Sequence, residues 1–85
     1  MAPYSIFFRK SVARDLARIP KKDVKRIIAR IKALAEEPRP HGCEKLSAQE
    51  RYRVRQGTYR IVYSIQDEER TVSVVKVGHR RDVYR

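Results

Sequence analysis

The spacing of apolar residues changes once along the chain, from a helical period in the first half to a period of two in the second. Val12, Leu16 and Ile19 recur at i, i+4 and i+7, which places them on one face of a helix. Ser11 precedes this pattern as a candidate N-cap, and Pro20 ends it. The pattern therefore predicts a short amphipathic helix.

A second amphipathic pattern occupies residues 21–37 and ends at Pro38. Its apolar stripe consists of Val24, Ile27, Ile28, Ile31 and Leu34. Lysines and arginines fill the opposite side, and we expect Asp15 and Asp23 to be first-turn residues or i,i+4 partners on the polar sides of the two helices. Two helices joined across one proline favour an antiparallel hairpin that covers one face of a sheet.

Two shorter segments flank these helices. Residues 3–8 predict a short strand at a sheet edge, because a proline opens it. Residues 38–50 predict a long irregular loop, and a loop of this length is often functional. Leu46 is the expected anchor of that loop to the core.

From Arg51 onward, apolar and polar residues alternate, which is typical of strands with one buried face. The predicted strands occupy residues 51–55, 59–65 and 71–78. The turns between them occupy residues 56–58 and 67–69. The order is therefore β-α-α-β-β-β. We predict an α+β fold in which an N-terminal strand and an antiparallel helix hairpin precede a three-stranded antiparallel meander, with the helices packed on one face of the sheet.

Composition and charge narrow the possible functions. The 85 residues are expected to form one domain, 1–85, and their net charge of +11 favours a polyanionic partner. We expect no membrane partner, because no apolar run approaches about 18 residues and the N-terminus lacks the features of a signal peptide. Cys43 has no second cysteine to pair with, which favours a reducing cytoplasm. Two histidines and one cysteine do not make a zinc site, and we expect no cofactor.

The polar positions of the first meander strand are arginines. Arg53 and Arg55 project from the same face about 7 Å apart, and Arg60 follows on the next strand. The alternative is a solvated outer face, but the acidic residues of this half are expected to lie away from the arginines, in the turn at 67–69. We therefore favour a face that binds phosphates. The predicted binding residues are Lys45, Arg51, Arg53, Arg55 and Arg81.

The C-terminal residues add groups with catalytic chemistry. Arg80 and Tyr84 follow the last strand, which the meander places beside Arg60, whereas His79 alternates with Arg80 and should face the other way. Guanidinium groups lower the pKa of a neighbouring tyrosine and stabilise negative charge, although they cannot act as bases. Such a set suits metal-free cleavage of RNA, in which a 2′-hydroxyl attacks the adjacent phosphate.

The stretches YRVRQGTYRIVY and VVKVGHRRDVY, separated by an acidic turn, resemble the RelE/ParE toxin superfamily of bacterial toxin–antitoxin systems over nearly the whole chain. RelE members are ribosome-dependent messenger ribonucleases, whereas ParE members share the fold, poison DNA gyrase and lack the catalytic set. The resemblance implies that Arg60 stabilises the transition state and that Arg80 is the second arginine of the site. It also implies that Tyr84 stacks on or activates the substrate nucleotide.

The resemblance further implies a cytoplasmic toxin that cuts mRNA in the ribosomal A site without metal or cofactor. Its partners would be the ribosome, mRNA and a cognate acidic RelB-like antitoxin. The alternatives are a ParE-like gyrase inhibitor and a non-catalytic RNA- or ribosome-binding module.

Two features depart from the RelE pattern. Arg53 and Arg55 replace a pair of lysines, which leaves Tyr84 and His79 as candidate general bases. Many members continue into a final helix that their antitoxins can displace, whereas this chain ends at Arg85. We therefore expect inhibition that does not depend on displacing such a helix.

Overall fold

The computed structural model describes residues 3–46 and 50–81. Its elements are β1 (Ser5–Phe8), α1 (Lys10–Ala17), α2 (Lys21–Ala33), β2 (Glu44–Leu46), β3 (Arg51–Gln56), β4 (Tyr59–Gln66) and β5 (Thr71–His79). The predicted α+β class, the two consecutive helices and the meander of β3, β4 and β5 are confirmed. Within the described ranges, neither helix is both long enough and apolar enough to cross a membrane.

The sheet has five strands in the order β1-β5-β4-β3-β2. β1 pairs in parallel with β5 and forms one edge of the sheet, as predicted for the N-terminal strand. The other neighbours are antiparallel. β2 forms the opposite edge and corrects the prediction that residues 38–50 are an irregular loop. Because β2 has three residues and only one of them is apolar, it shows no recognisable period.

Both helices differ from their predicted limits. α1 begins at Lys10 with Arg9 at the N-cap, so the predicted cap at Ser11 is wrong. α2 ends at Ala33, four residues before the predicted end at residue 37. The Tyr4 N–H donates to the Ala35 carbonyl at 2.8 Å, so the chain just beyond α2 bonds to the start of the sheet.

The main core lies between the helices and one face of the sheet. Its fully buried residues are Val12, Ile27, Ile31, Leu34, Val54, Ile61, Tyr63, Val72, Val74 and Val77. These include three of the five residues of the predicted α2 stripe. Leu46 was expected to join this core, but it packs instead against Val62 and Val75, which form a small second cluster. Val62 alternates with Ile61 and Tyr63 along β4, so this cluster lies on the face of the sheet away from the helices.

One irregularity interrupts the pairing of β4 with β5. Val62 pairs with Lys76, whereas the next residue of β4, Tyr63, pairs with Val74. Val75 is therefore an extra residue, and β5 contains a β-bulge at this point. A bulge changes which residues of the strand face each side of the sheet, and this one lies just before the predicted catalytic residues at the end of β5.

Candidate active site

The predicted arginines share the face of the sheet that the helices leave uncovered. Tyr52 and Val54 of β3 pack in or against the main core, so the residues that alternate with them face the other way. Cross-strand pairing joins Arg53 to Val62 and Arg55 to Arg60. We call this surface, with Arg51, Arg53 and Arg55 of β3 and Arg60 of β4, the arginine face. The predicted alignment of these arginines on one face is thus observed.

A two-residue turn brings Arg55 and Arg60 together. Gly57 and Thr58 connect β3 to β4, and Gly57 has a φ of 61°, as a glycine has at the first central position of a type II′ turn. The Arg60 guanidinium donates from Nη1 to the Tyr59 carbonyl at 3.1 Å and to the Gly57 carbonyl at 3.5 Å. Arg60 therefore lies against the turn, at the end of the sheet.

Arg80 reaches the same end from β5. Gly78 pairs directly with Arg60, and the Arg80 N–H donates to the Thr58 carbonyl at 2.8 Å. This bond extends the β4–β5 ladder one residue beyond the assigned strands. Because Arg80 lies two residues after Gly78, it belongs to the arginine face. Gly78, which has no side chain, is thus the neighbour of both arginines on this face.

Sequence reasoning missed an acidic residue of this face, Glu44. It pairs with Arg53 across β2 and β3, and its carboxylate lies 2.5 Å from Arg53 Nη2 and 3.8 Å from Arg55 Nη2. The expectation that the acidic residues lie only in the turn at 67–69 is therefore wrong. The Arg53 side chain is only 17 % exposed, whereas that of Arg55 is 64 % exposed. Recognising Glu44 requires β2, which the sequence pattern does not reveal.

Three other predicted residues lie apart from the arginine face or beyond the sheet. Lys45 pairs with Tyr52, faces the helix side and forms an ion pair with Glu50 at 3.6 Å. His79 also faces the helix side, as expected, where its ring meets Tyr59 edge-on with centroids 6.0 Å apart. Arg81 is exposed, and its backbone N–H donates to His79 Nδ1 at 3.2 Å.

The sequence left two candidate general bases, His79 and Tyr84, and the structure describes only His79. His79 lies on the other face from the arginines, because Tyr59, its ring neighbour, packs against the main core. Tyr84 lies outside the described residues. Among residues 3–46 and 50–81, Glu44 is the carboxylate that lies among the arginines.

The acidic turn after β4 has partners of its own, at the far end of the sheet from Arg60. Arg39 donates to both Asp67 carboxylate oxygens, at 2.9 and 3.2 Å, and the Tyr4 hydroxyl donates to Oδ1 at 2.8 Å. The Arg39 guanidinium and then the Tyr4 hydroxyl hold the pKa of Asp67 below its usual range. Arg39 also donates to the Tyr52 hydroxyl at 3.2 Å. This network ties the segment after α2 to the β4–β5 turn and leaves Asp67 away from the candidate site.

The arrangement is suited to binding anions and to acid–base chemistry. Several guanidinium groups can bind and stabilise phosphate oxygens, and the Glu44 carboxylate can accept a proton. Across residues 3–46 and 50–81, no three His, Cys, Asp or Glu side chains come together as ligands for a metal ion.

A family model, a curated relative and solved structures are all similar to this chain over most of its length. Residues 6–84 match the family described as the ParE toxin of the type II toxin–antitoxin system parDE. The chain is 33 % identical to the toxin RelG of Mycobacterium tuberculosis over 85 residues, which cover 98 % of each protein. Its fold is similar to a chain of the RelBE2 toxin–antitoxin complex of M. tuberculosis, with a TM-score of 0.82, 30 % identity and coverage of 91 % of this chain and 98 % of that one. It is also similar to a chain of the archaeal RelE–RelB complex of Pyrococcus horikoshii, with a TM-score of 0.83, 26 % identity and coverage of 95 % and 99 %.

Proposed function

The chain belongs to the ParE toxin family of type II toxin–antitoxin systems, within the RelE/ParE superfamily, and we propose that it is a ribosome-dependent endoribonuclease. It acts in the cytoplasm, cuts mRNA in the ribosomal A site and so inhibits translation. The observation that carries this proposal is the convergence of Arg55, Arg60 and Arg80 at the turn between β3 and β4, with Glu44 on the same face.

The arginines act on the phosphate that is being cleaved and on its neighbours. Arg60 and Arg80 stabilise the additional negative charge of the pentavalent phosphorane, because guanidinium groups form short, charge-assisted hydrogen bonds to phosphate oxygens. Arg53 and Arg55, about 7 Å apart along β3, bind adjacent phosphates of an extended strand. These two roles agree with the structure, because Arg55 is exposed and can reach a phosphate, whereas Arg60 is held at the turn beside Arg80.

Glu44 acts as the general base. The 2′-hydroxyl transfers its proton to the Glu44 carboxylate while its oxygen bonds to phosphorus, and the bond from phosphorus to the 5′-oxygen then breaks. The departing 5′-oxygen takes up a proton from water, which leaves a 2′,3′-cyclic phosphate and a 5′-hydroxyl. An incoming phosphate competes with Glu44 for Arg53 and Arg55 and thereby frees the carboxylate. Tyr84 keeps the role of stacking on, or activating, the nucleotide that the family resemblance implies.

The partner that restrains this activity is a cognate acidic antitoxin. The solved relatives are named as the toxin–antitoxin complex RelBE2 of M. tuberculosis and as the RelE–RelB complex of P. horikoshii. This chain exposes Phe7 and Phe8 at 56 % and 48 %, and two shallow apolar grooves share Leu16. Lys10 and Lys25 are among the basic residues that flank them. An acidic amphipathic segment complements this surface in both polarity and charge.

Primer extension on a defined mRNA in a purified translation system tests the nuclease. We expect discrete cuts within the A-site codon that disappear when ribosomes are omitted. Arg60→Ala should lower the cleavage rate by about 100-fold or more, whereas Arg14→Ala, an exposed arginine of α1 with the same charge change, should cleave almost normally. An intact mRNA under active translation would overturn the proposal.

The family match favours gyrase inhibition as the second candidate function, because the matching family is described as the ParE toxin. Inhibition of DNA supercoiling by the purified protein, with no effect on mRNA, would support it. A non-catalytic RNA-binding module is distinguished by the Arg60→Ala variant. In such a module Arg60→Ala weakens only RNA binding and its salt dependence. Neither the wild type nor the variant cuts the mRNA.

A further inference from the structure

Asp15 joins α1 to β5 through a hydrogen bond that the helix pattern does not predict. Its Oδ2 accepts from the Val77 N–H at 3.1 Å, across 62 positions of sequence. Asp15 therefore has a tertiary contact beyond the partners on its own helix that the sequence predicts. Asp15 lies in the last turn of α1, where the helix dipole disfavours a carboxylate. The tertiary hydrogen bond offsets this unfavourable position.

The Val77 N–H needs a partner because the sheet does not supply one. β1 pairs with β5 only as far as Phe8 opposite Val74. On the other side, Val77 pairs with Ile61, and the bond from Arg80 to the β3–β4 turn fixes which pairs of this ladder exchange hydrogen bonds. By alternation, Ile61 and Val77 form a non-hydrogen-bonded pair, so the Val77 N–H points away from β4. Asp15 therefore supplies the acceptor on the side of β5 where pairing with β1 has ended.

The hydrogen bond between Asp15 and Val77 lies just after the β-bulge, so it bears on the position of Arg80 in the candidate site. Val75 is the extra residue of β5, and Val77 is the first residue after it to rejoin the core. A shift of one residue in a strand reverses which face each side chain occupies. Without the bulge, Arg80 would alternate with Val74 onto the helix side. The register after Val75 therefore decides whether Arg80 belongs to the arginine face.

We propose that Asp15 is a positioning residue that holds β5 in its bulged register and thereby keeps Arg80 beside Arg60. Asp15 lies on the helix side of the sheet and does not contact the RNA. Its effect on cleavage rests on the proposed nuclease function, whereas its effect on the register does not. The two can therefore be tested separately.

Nuclear magnetic resonance tests the register without any activity measurement. A non-hydrogen-bonded antiparallel pair brings its two Cα atoms within about 4.5 Å, so the Hα protons of Ile61 and Val77 should show a strong nuclear Overhauser effect. We expect Asp15→Ala to weaken that signal and to accelerate exchange of the Val77 amide proton at least about tenfold. Glu68→Ala, an exposed residue of the far turn with the same charge change, should leave both unchanged. Unchanged Val77 exchange in a folded Asp15→Ala protein would overturn the proposal.

Asp15→Asn covers the case in which the alanine variant does not fold. Asparagine keeps an acceptor oxygen but removes the charge, so the Val77 amide proton resonance should move upfield while the Ile61 to Val77 signal remains. If the Val77 resonance does not move, Asp15 is not its acceptor and the proposal fails.

Steady-state cleavage kinetics then measure the effect on the proposed chemistry. Asp15→Ala should lower kcat about 10- to 100-fold, since a catalytic group displaced by about 1 Å loses that much. KM should change far less, because Arg53 and Arg55 lie on β3. Asp15→Asn should restore most of kcat. Equal changes in kcat and KM would overturn the positioning role, whereas a wild-type protein that does not cleave mRNA would refute the nuclease and leave the register to be decided by resonance data.

Discussion

Arg55 and Arg60 face each other directly across the β3–β4 hairpin, joined by a turn of only two residues. Like charges at directly opposite positions destabilise a sheet. The two side chains separate the charges in part: Arg60 bonds back to carbonyls of the turn, whereas Arg55 lies 3.8 Å from Glu44 on the other side. A hairpin that needed only stability would carry one acidic or neutral residue at this pair. Its two arginines are better explained by binding of an anion.

Replacing Arg55 should therefore separate stability from function. Arg55→Gln removes the repulsion, so we expect the free energy of unfolding to stay equal or to rise by about 0.2–1 kcal/mol, while RNA binding weakens. Urea unfolding and RNA binding at low salt measure the two effects. Arg14→Gln, on the exposed side of α1, is the matched control. A clear loss of stability in Arg55→Gln would show that its contact with Glu44 outweighs the repulsion.

Glu44 should affect RNA binding and cleavage in opposite directions. Glu44→Gln removes a negative charge from the arginine face, so we expect RNA to bind more tightly. A general base contributes about 100- to 10,000-fold to a rate, so cleavage should fall by at least about 100-fold even with RNA saturating. Binding and single-turnover cleavage measured on the same preparations test both effects.

The control for this variant is Glu50→Gln, because Glu50 pairs with Lys45 on the helix side and loses the same charge. It should change neither quantity strongly. Tighter binding with a normal cleavage rate would remove Glu44 from the chemistry and leave it as a residue that only limits RNA affinity.

Periodicity was sufficient to predict the helices and the three central strands. Ile27 and Ile31 recur with a helical period and are buried, and the alternation of Val54 with Arg53 and Arg55 correctly assigns the two faces of β3. Each of these signals depends on several residues of one element, so the sequence alone carries it. The same information sufficed to place Arg60 with the arginines of β3.

The remainder of the site depends on contacts between distant segments. β2 is too short to show a period, so the position of Glu44 opposite Arg53 becomes visible only in the sheet. The bulge at Val75 is equally hidden, because three valines in residues 74–77 fit either register of a strand. The hydrogen bond between Asp15 and Val77 is formed across the whole domain, and no local pattern predicts it.

Tyr63 should matter for stability and not for cleavage. Its hydroxyl is buried and donates to the Pro38 carbonyl at 2.7 Å, and burial raises the pKa of Tyr63 well above its usual value. Tyr63→Phe leaves that carbonyl without its donor, which should lower the free energy of unfolding by about 1–2 kcal/mol. Guanidinium unfolding measures the loss. Tyr52→Phe, whose hydroxyl accepts from the exposed Arg39, should cost less, and an equal cost would contradict the role given to burial.

Asp67 should make stability depend on pH in the acid range. Arg39, and then Tyr4, lower the pKa of Asp67 in the folded protein, whereas the unfolded value is about 3.9. A carboxyl group with a lowered folded pKa stabilises the protein above its unfolded pKa, and the contribution is lost as the pH falls through the folded pKa. The difference in unfolding free energy between the wild type and Asp67→Asn should therefore be constant near neutral pH. It should shrink below about pH 4.

Urea unfolding of both proteins between neutral and acid pH measures this difference directly. Glu68→Gln removes the neighbouring exposed carboxylate of the same turn and controls for the general effect of one negative charge on a strongly basic protein. Its difference from the wild type should vary much less with pH. Added salt should reduce the Asp67 contribution, because the ion pair with Arg39 is about half exposed on both sides. If the Asp67→Asn difference persists unchanged at the lowest pH, the charge on Asp67 does not account for the stability of the turn.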